Sequence, residues 1–158
     1  MIKLGVKLTK NSVRLFLSAI LLLCMLISLY IGLLIGIETY AATTSDQIQT
    51  QKQLNEHLEI EKRKLNTENL NISAKFEIVN DTSYSTRVGE NQYEIVLSKR
   101  GQNVATLKHE LYHIVDGHCD DDQGVQEALN IEDLKFKIKY LFNYELKAAL
   151  YSFKEWKL

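Results

Sequence analysis

The chain has 158 residues, 46% of them hydrophobic and 25% charged, which leaves room for one ordinary domain and not for a multidomain enzyme. The net charge of −1 averages two unlike parts: Lys3, Lys7, Lys10 and Arg14 lie before residue 15 with no acid among them, and the other 15 basic residues face all 20 acidic ones. No basic stripe remains to track phosphates, so nucleic acid is not an expected partner; Cys24 and Cys119 lie in unlike surroundings and make no disulfide framework, and the absence of proline favours a helix-rich chain.

Residues 15–37, LFLSAILLLCMLISLYIGLLIGI, are 23 positions without a charged side chain. At 1.5 Å per residue a helix of that length crosses a hydrocarbon core of roughly 30 Å with some tilt. A cleavable signal sequence has an apolar region of about 7 to 15 residues. The run is therefore expected to be a retained transmembrane anchor, although residues 39–41 offer a mediocre cleavage site. The basic tail 1–14 precedes it, whereas Glu38 and Asp46 follow and the next lysine is Lys52. The positive-inside rule then predicts a single-pass protein with a cytoplasmic N-terminus and an extracytoplasmic C-terminal region. An unpaired Cys119 is unusual for an oxidising compartment.

Residues 38–71 are polar, with Ile48, Leu54, Leu58 and Leu65 at spacings of four to seven and many Gln, Glu and Lys between them. This predicts a helical stalk, a solvated spacer with some capacity for self-association. Glu61 and Glu68 at the complementary heptad positions argue against a stable coiled coil, and His57 reads as an exposed histidine. Next, Phe76 and Ile78 alternate with charged residues, as Tyr93, Ile95 and Leu97 alternate with Gln92, Glu94 and Val96. Both are strand signals, and Gly89-Glu90-Asn91 predicts a hairpin over residues 84–98 with Gly89 supplying a positive φ. A helix follows: Asn103 suits the N-cap, Val104, Leu107, Leu111, Ile114 and Val115 form an apolar face, and Gly117 suits the left-handed stop. Residues 125–158 contain neither Gly nor Pro and predict one long helix, or two joined near Asn143.

Three of the four histidines fall within ten residues, His109-Glu110-Leu111-Tyr112-His113-Ile114-Val115-Asp116-Gly117-His118. Residues four apart share a helix face, so His109 and His113 can present both imidazoles to one tetrahedral Zn²⁺. Glu110, beside them, reaches the open coordination position and can act as general base toward water whose pKa the metal lowers to about 7. The run of acids Asp120, Asp121 and Asp122 reads as a solvated loop, since the spacing of a Ca²⁺ loop is missing. His118 and Cys119 remain alternative third ligands, and Tyr112, Tyr140 and Tyr144 are candidate oxyanion donors.

The segment HELYHIVD followed by Glu127-Ala128 resembles the active-site region of zincin metallopeptidases, which carry HExxH on a helix after a small mixed sheet. The resemblance covers roughly the last 85 residues and is specific across about twenty of them. It implies Glu127 as third zinc ligand in the gluzincin manner, Glu110 as general base and Asp116 as a carboxylate orienting a ligand. The thirteen residues between His113 and Glu127 are short for that class and demand a sharp turn through Gly117 and Gly124. His118 is one residue out of register for the metzincin pattern, in which the third histidine comes six after the second.

The expected protein is of α+β class: tail 1–14, anchor 15–37, stalk 38–71 and a zincin-like domain 72–158 acting as a zinc metallopeptidase on a peptide or protein substrate. The substrate would pair with an edge strand, for which residues 93–98 are the candidate. The competing expectation is a non-catalytic, membrane-tethered module whose zinc is closed by four protein ligands.

Overall fold

A computed structural model describes residues 10–77, 82–120 and 140–154, which fall into two compact units, Met1–Ile35 and Gly36–Leu158. Helix α1 (Lys10–Thr44) is continuous over 35 residues, about 52 Å at 1.5 Å per residue and so longer than the apolar run. Its stretch Val13–Thr44 is long and apolar enough to cross a membrane, and only 6% of the most apolar window is buried. A core helix of a soluble globule would be covered. The helix ends where hydroxyls take over its last carbonyls: Thr43 Oγ1 donates to Thr39 O at 2.8 Å and Thr44 Oγ1 to Tyr40 O at 2.5 Å.

The unit Gly36–Leu158 is α+β, and it includes the segment read from sequence as a stalk. Thr50 and Gln53 form a reciprocal capping box that starts α2 (Gln51–Lys64), while Lys62, Arg63 and Lys64 end it, with the sign that suits a helix C-terminus. Leu54 and Leu58, four apart on one face, are buried in the same core as Ile48, Ile95 and Leu107. Residues 38–71 are thus no solvated spacer, and the apolar positions that could have joined two copies are used inside the fold. A four-residue apolar spacing among charges is what a half-buried helix requires; the charges cover its other face.

Three strands follow: β1 (Asn71–Glu77), β2 (Tyr84–Gly89) and β3 (Gln92–Ser98), in the order β1-β3-β2. β1 runs parallel to β3, with Ile72 opposite Tyr93 and Phe76 opposite Leu97, and β2 runs antiparallel to it, with Tyr84 opposite Val96. The expected hairpin is present, but the positive φ belongs to Asn91 (52°), not to Gly89. Asparagine tolerates this region because its short side chain can bond locally. A larger correction concerns residues 93–98: β3 is the middle strand, paired on both sides, and cannot receive a substrate as an edge. Its Ile95, Val96 and Leu97 are fully buried, as a central strand's are.

Asn103 caps α3 (Val104–Val115), as its side chain predicts. Its Oδ1 accepts from Thr106 N at 2.9 Å and from Ser45 Oγ at 3.1 Å. Val104 N donates to Asp46 O at 3.0 Å, so the chain just past α1 is hydrogen-bonded to the start of α3. Leu107, Leu111 and Ile114 face the core. Gly117, at φ 78°, ends the helix, and a short 3₁₀ turn, His118–Asp120, follows. The chain is described again from Tyr140, where a π-helical segment (Tyr140–Glu145) runs into α4 (Leu146–Lys154); Ala148 and Ala149 of α4 are fully buried, and α4 lies against α3. The expected long helix is helical over these residues, and the rest of 125–158 lies outside the described part.

Candidate metal centre

Leu107, Leu111 and Ile114 turn one side of α3 into the core, and the neighbouring side carries His109, Glu110 and His113 beside them. The two imidazoles meet as the spacing predicts: His109 Nε2 lies 3.0 Å from His113 Nε2, with the rings edge to face at 82°. A carboxylate closes the triangle. Glu145 Oε2 is 3.4 Å from His109 Nε2, and its Oε1 is 3.7 Å from His113 Nε2. Three atoms bonded to one Zn²⁺ at about 2.0–2.1 Å and tetrahedral angles would lie about 3.3 Å apart, so the triangle is of the right size and needs only side-chain adjustment. Two nitrogens and one carboxylate oxygen, all within 4.8 Å of one another, form a donor set that suits a divalent cation of this kind.

Glu145 was not among the expected ligands. Glu127, which was, lies outside the described residues, as do Asp121 and Asp122. The π winding ends at Glu145, and local π turns of this kind often accompany functional side chains. A signal was present in the sequence: Glu145 is the only acid between Asp133 and Glu155, in a stretch of apolar residues and lysines.

The alternative ligands occupy other places. His118 Nδ1 lies 2.6 Å from His113 Nδ1, the rings stacked at 30°, so it addresses the ring nitrogen that does not face His109. When His113 donates this proton, its Nε2 lone pair is aimed into the triangle, which is how a partner on the far nitrogen fixes the tautomer of a ligating histidine. Cys119 Sγ contacts Ser85 Oγ on β2 at 3.5 Å. Asp116, expected to orient a ligand, holds Lys147 Nζ at 3.0 and 3.2 Å and so ties the end of α3 to α4. Of the candidate oxyanion donors, Tyr112 stacks on Tyr151 and Tyr144 lies edge-on to His118, while the Tyr140 side chain is outside the described part.

Electrostatics separate the roles. Burial pushes the Glu110 carboxyl up to about 7, against the pull of His109 and of a hydrogen bond from Ser85. Burial and then the neighbouring His109 lower the His113 pKa to about 3, so it is a neutral donor of the kind a metal takes. For His109 burial pulls the other way, but the hydrogen bond to Glu145 and the charges of Glu110, Glu145 and Glu38 win and raise its pKa. The His109 and Glu145 side chains are 15% and 21% exposed against 7% for His113, so the triangle opens toward solvent on the His109 and Glu145 side. Glu38, in the last turns of α1, stands there with Oε1 4.0 Å from His109 Nδ1.

No protein family, curated protein or solved structure matches the chain. What the site can do follows from its own side chains: among the described residues three ligands could hold one divalent cation, with a buried carboxyl beside them whose pKa burial raises to about 7.

Proposed function

We propose that this chain is a membrane-anchored zinc metallopeptidase in which His109, His113 and Glu145 hold the metal and Glu110 is the general base. The observation that carries the reading is the three-ligand triangle with Glu110 adjacent in the chain to one of its corners. Bound there, zinc would act as a Lewis acid toward a scissile carbonyl and lower the pKa of water. Burial raises the Glu110 carboxyl and a bound cation would draw it back toward its charged form, which leaves a base able to accept a proton at neutral pH and return it to a leaving amine. Ser85 holds that carboxyl in place, and His118 orients His113.

Among the described residues no fourth ligand closes the triangle, since His118 addresses the far nitrogen of His113 and Cys119 contacts Ser85, and this supports catalysis over a closed structural site. Retention of the anchor is supported by residues 39–41, where a cleavage site would have to be extended: they are helical, and Ala41 is 1% exposed. For an extended substrate the candidate is β2, an edge strand of the sheet whose Ser85 bonds Glu110. The test is Glu110→Gln in the full chain. Zinc should remain bound at one equivalent while peptide cleavage falls by about 10² to 10⁴ fold. Unchanged cleavage would remove Glu110 as the base, and no cleavage by the zinc-loaded wild type would remove the hydrolase reading.

A further inference from the structure

Glu38 is the first residue after the apolar run 15–37, and its carboxylate is 4.0 Å from His109 Nδ1. Gly36 and Ile37, the last residues of the run, belong to the same compact unit as the site. Tyr40 packs on Phe153 of α4 with ring centroids 5.9 Å apart, and Ala41 is buried. Ser45 Oγ donates to the Asn103 cap and accepts from Ala105 N at 3.3 Å, and Asp46 O accepts from Val104 N. The residues that leave the apolar run are thus the same ones that fix the start of the helix bearing His109, Glu110 and His113.

From these contacts we infer that the site works at the membrane surface and that its substrate is the juxtamembrane segment of a second membrane-inserted polypeptide. This rests on the metallopeptidase reading above and on the run being a retained span. At a rise of 1.5 Å per residue, Glu38 stands about one residue beyond the end of the run, and the headgroup layer is only about 5 to 8 Å thick on each side. The metal ligands therefore lie at headgroup level. A polypeptide with its own span delivers its first residues beyond the bilayer to that level and diffuses in the same plane, so the encounter gains effective concentration. A peptide in bulk water gains neither. Tyr40, 53% exposed, lies where an amphipathic ring is favoured at a membrane–water boundary.

The test uses the full chain in phosphatidylcholine–phosphatidylglycerol vesicles, with Co²⁺ as the probe. Co²⁺ bound to the wild type should enhance the ³¹P relaxation of the lipid headgroups, and the same addition to His109→Ala/His113→Ala should not. One equivalent of bound Co²⁺ with no enhancement above that variant would overturn the surface placement and leave the metal site standing; failure to bind Co²⁺ at all would overturn both. For the substrate, a reporter carries a randomised segment directly after its own transmembrane helix, on the side of the metal site. A second reporter interposes a Gly-Ser spacer of about 20 residues, which adds roughly 25 Å of mean reach. Cleavage of the first should be at least about tenfold faster than of the second or of the free peptide pool. Equal rates would overturn the substrate assignment while keeping the hydrolase. With zinc bound, no cleavage of any of the three would remove the hydrolase and the assignment together.

Discussion

Two helical segments build the site and do so in different ways. α3 contributes His109, Glu110 and His113 within five residues, so the helix period alone brings them together. The segment Tyr140–Lys154 contributes one carboxylate, Glu145, which depends on a π turn, on packing of Ala148 and Ala149, and on the Lys147 to Asp116 ion pair. The first contribution is local and survives any fold in which the helix forms. The second exists only when two parts of the chain that are distant in sequence have docked. A candidate ligand set can therefore be half legible: the two imidazoles follow from spacing, and the third corner is a property of tertiary structure.

The sharpest way to break this comparison is at that third corner. Glu145→Ala should lower zinc affinity by about 10² fold or more, since it removes a direct ligand, whereas Glu127→Ala should leave affinity near that of the wild type. Titration with a chromogenic chelator competitor orders the two. The opposite order would return the ligand role to Glu127. His118→Phe tests the support behind the first corner: it keeps a flat ring against His113 but removes the nitrogen, and an affinity loss of about 10 to 100 fold is expected. Full wild-type affinity in that variant would reduce His118 to packing.

The next effect is on folding. If Leu54 belongs to the core rather than to a stalk, Leu54→Ala leaves a cavity at a fully buried position and should cost about 2 to 5 kcal/mol in urea denaturation. A solvated spacer would lose less than about 0.5 kcal/mol at the same position.

The same contrast between local and distant determinants explains what the sequence reveals. The apolar run, the Asn103 cap, the Gly117 stop and the hairpin are set by residues within one or two turns, and each is where those residues place it. Residues 38–71 read as a spacer because Leu54 and Leu58 are too few to reveal a buried face until Ile48, Ile95 and Leu107 are seen around them. The status of β3 as a middle strand was hidden because alternation reports which side of a strand is buried and says nothing about which strands flank it. Glu145 was hidden for the analogous reason: a lone acid among lysines and apolar residues is a weak mark until its partner helix is known.

The smallest effect is a pH slope, and it probes whether Glu110 is as buried as the packing of α3 implies. In the metal-free chain the Glu110 carboxyl is raised from 4.5 to about 7, so the folded state holds a proton that the unfolded state has released between those values. Stability from this group is complete below pH 4.5 and is lost as pH rises to about 7, reaching at most about 3 to 4 kcal/mol at 1.36 kcal/mol per unit. Glu110→Gln carries no such proton. The stability difference between the variant and the wild type should therefore move in favour of the variant across that window and stay flat outside it, as urea denaturation at a series of pH values would show. A flat difference from pH 4 to 8 would mean that Glu110 is solvated and could not have been tuned for proton transfer. Zinc should shrink the slope, because a cation beside the carboxylate favours its charged form. A slope unaffected by stoichiometric zinc would place the metal away from Glu110 and leave His109 and His113 as a binding site without its base.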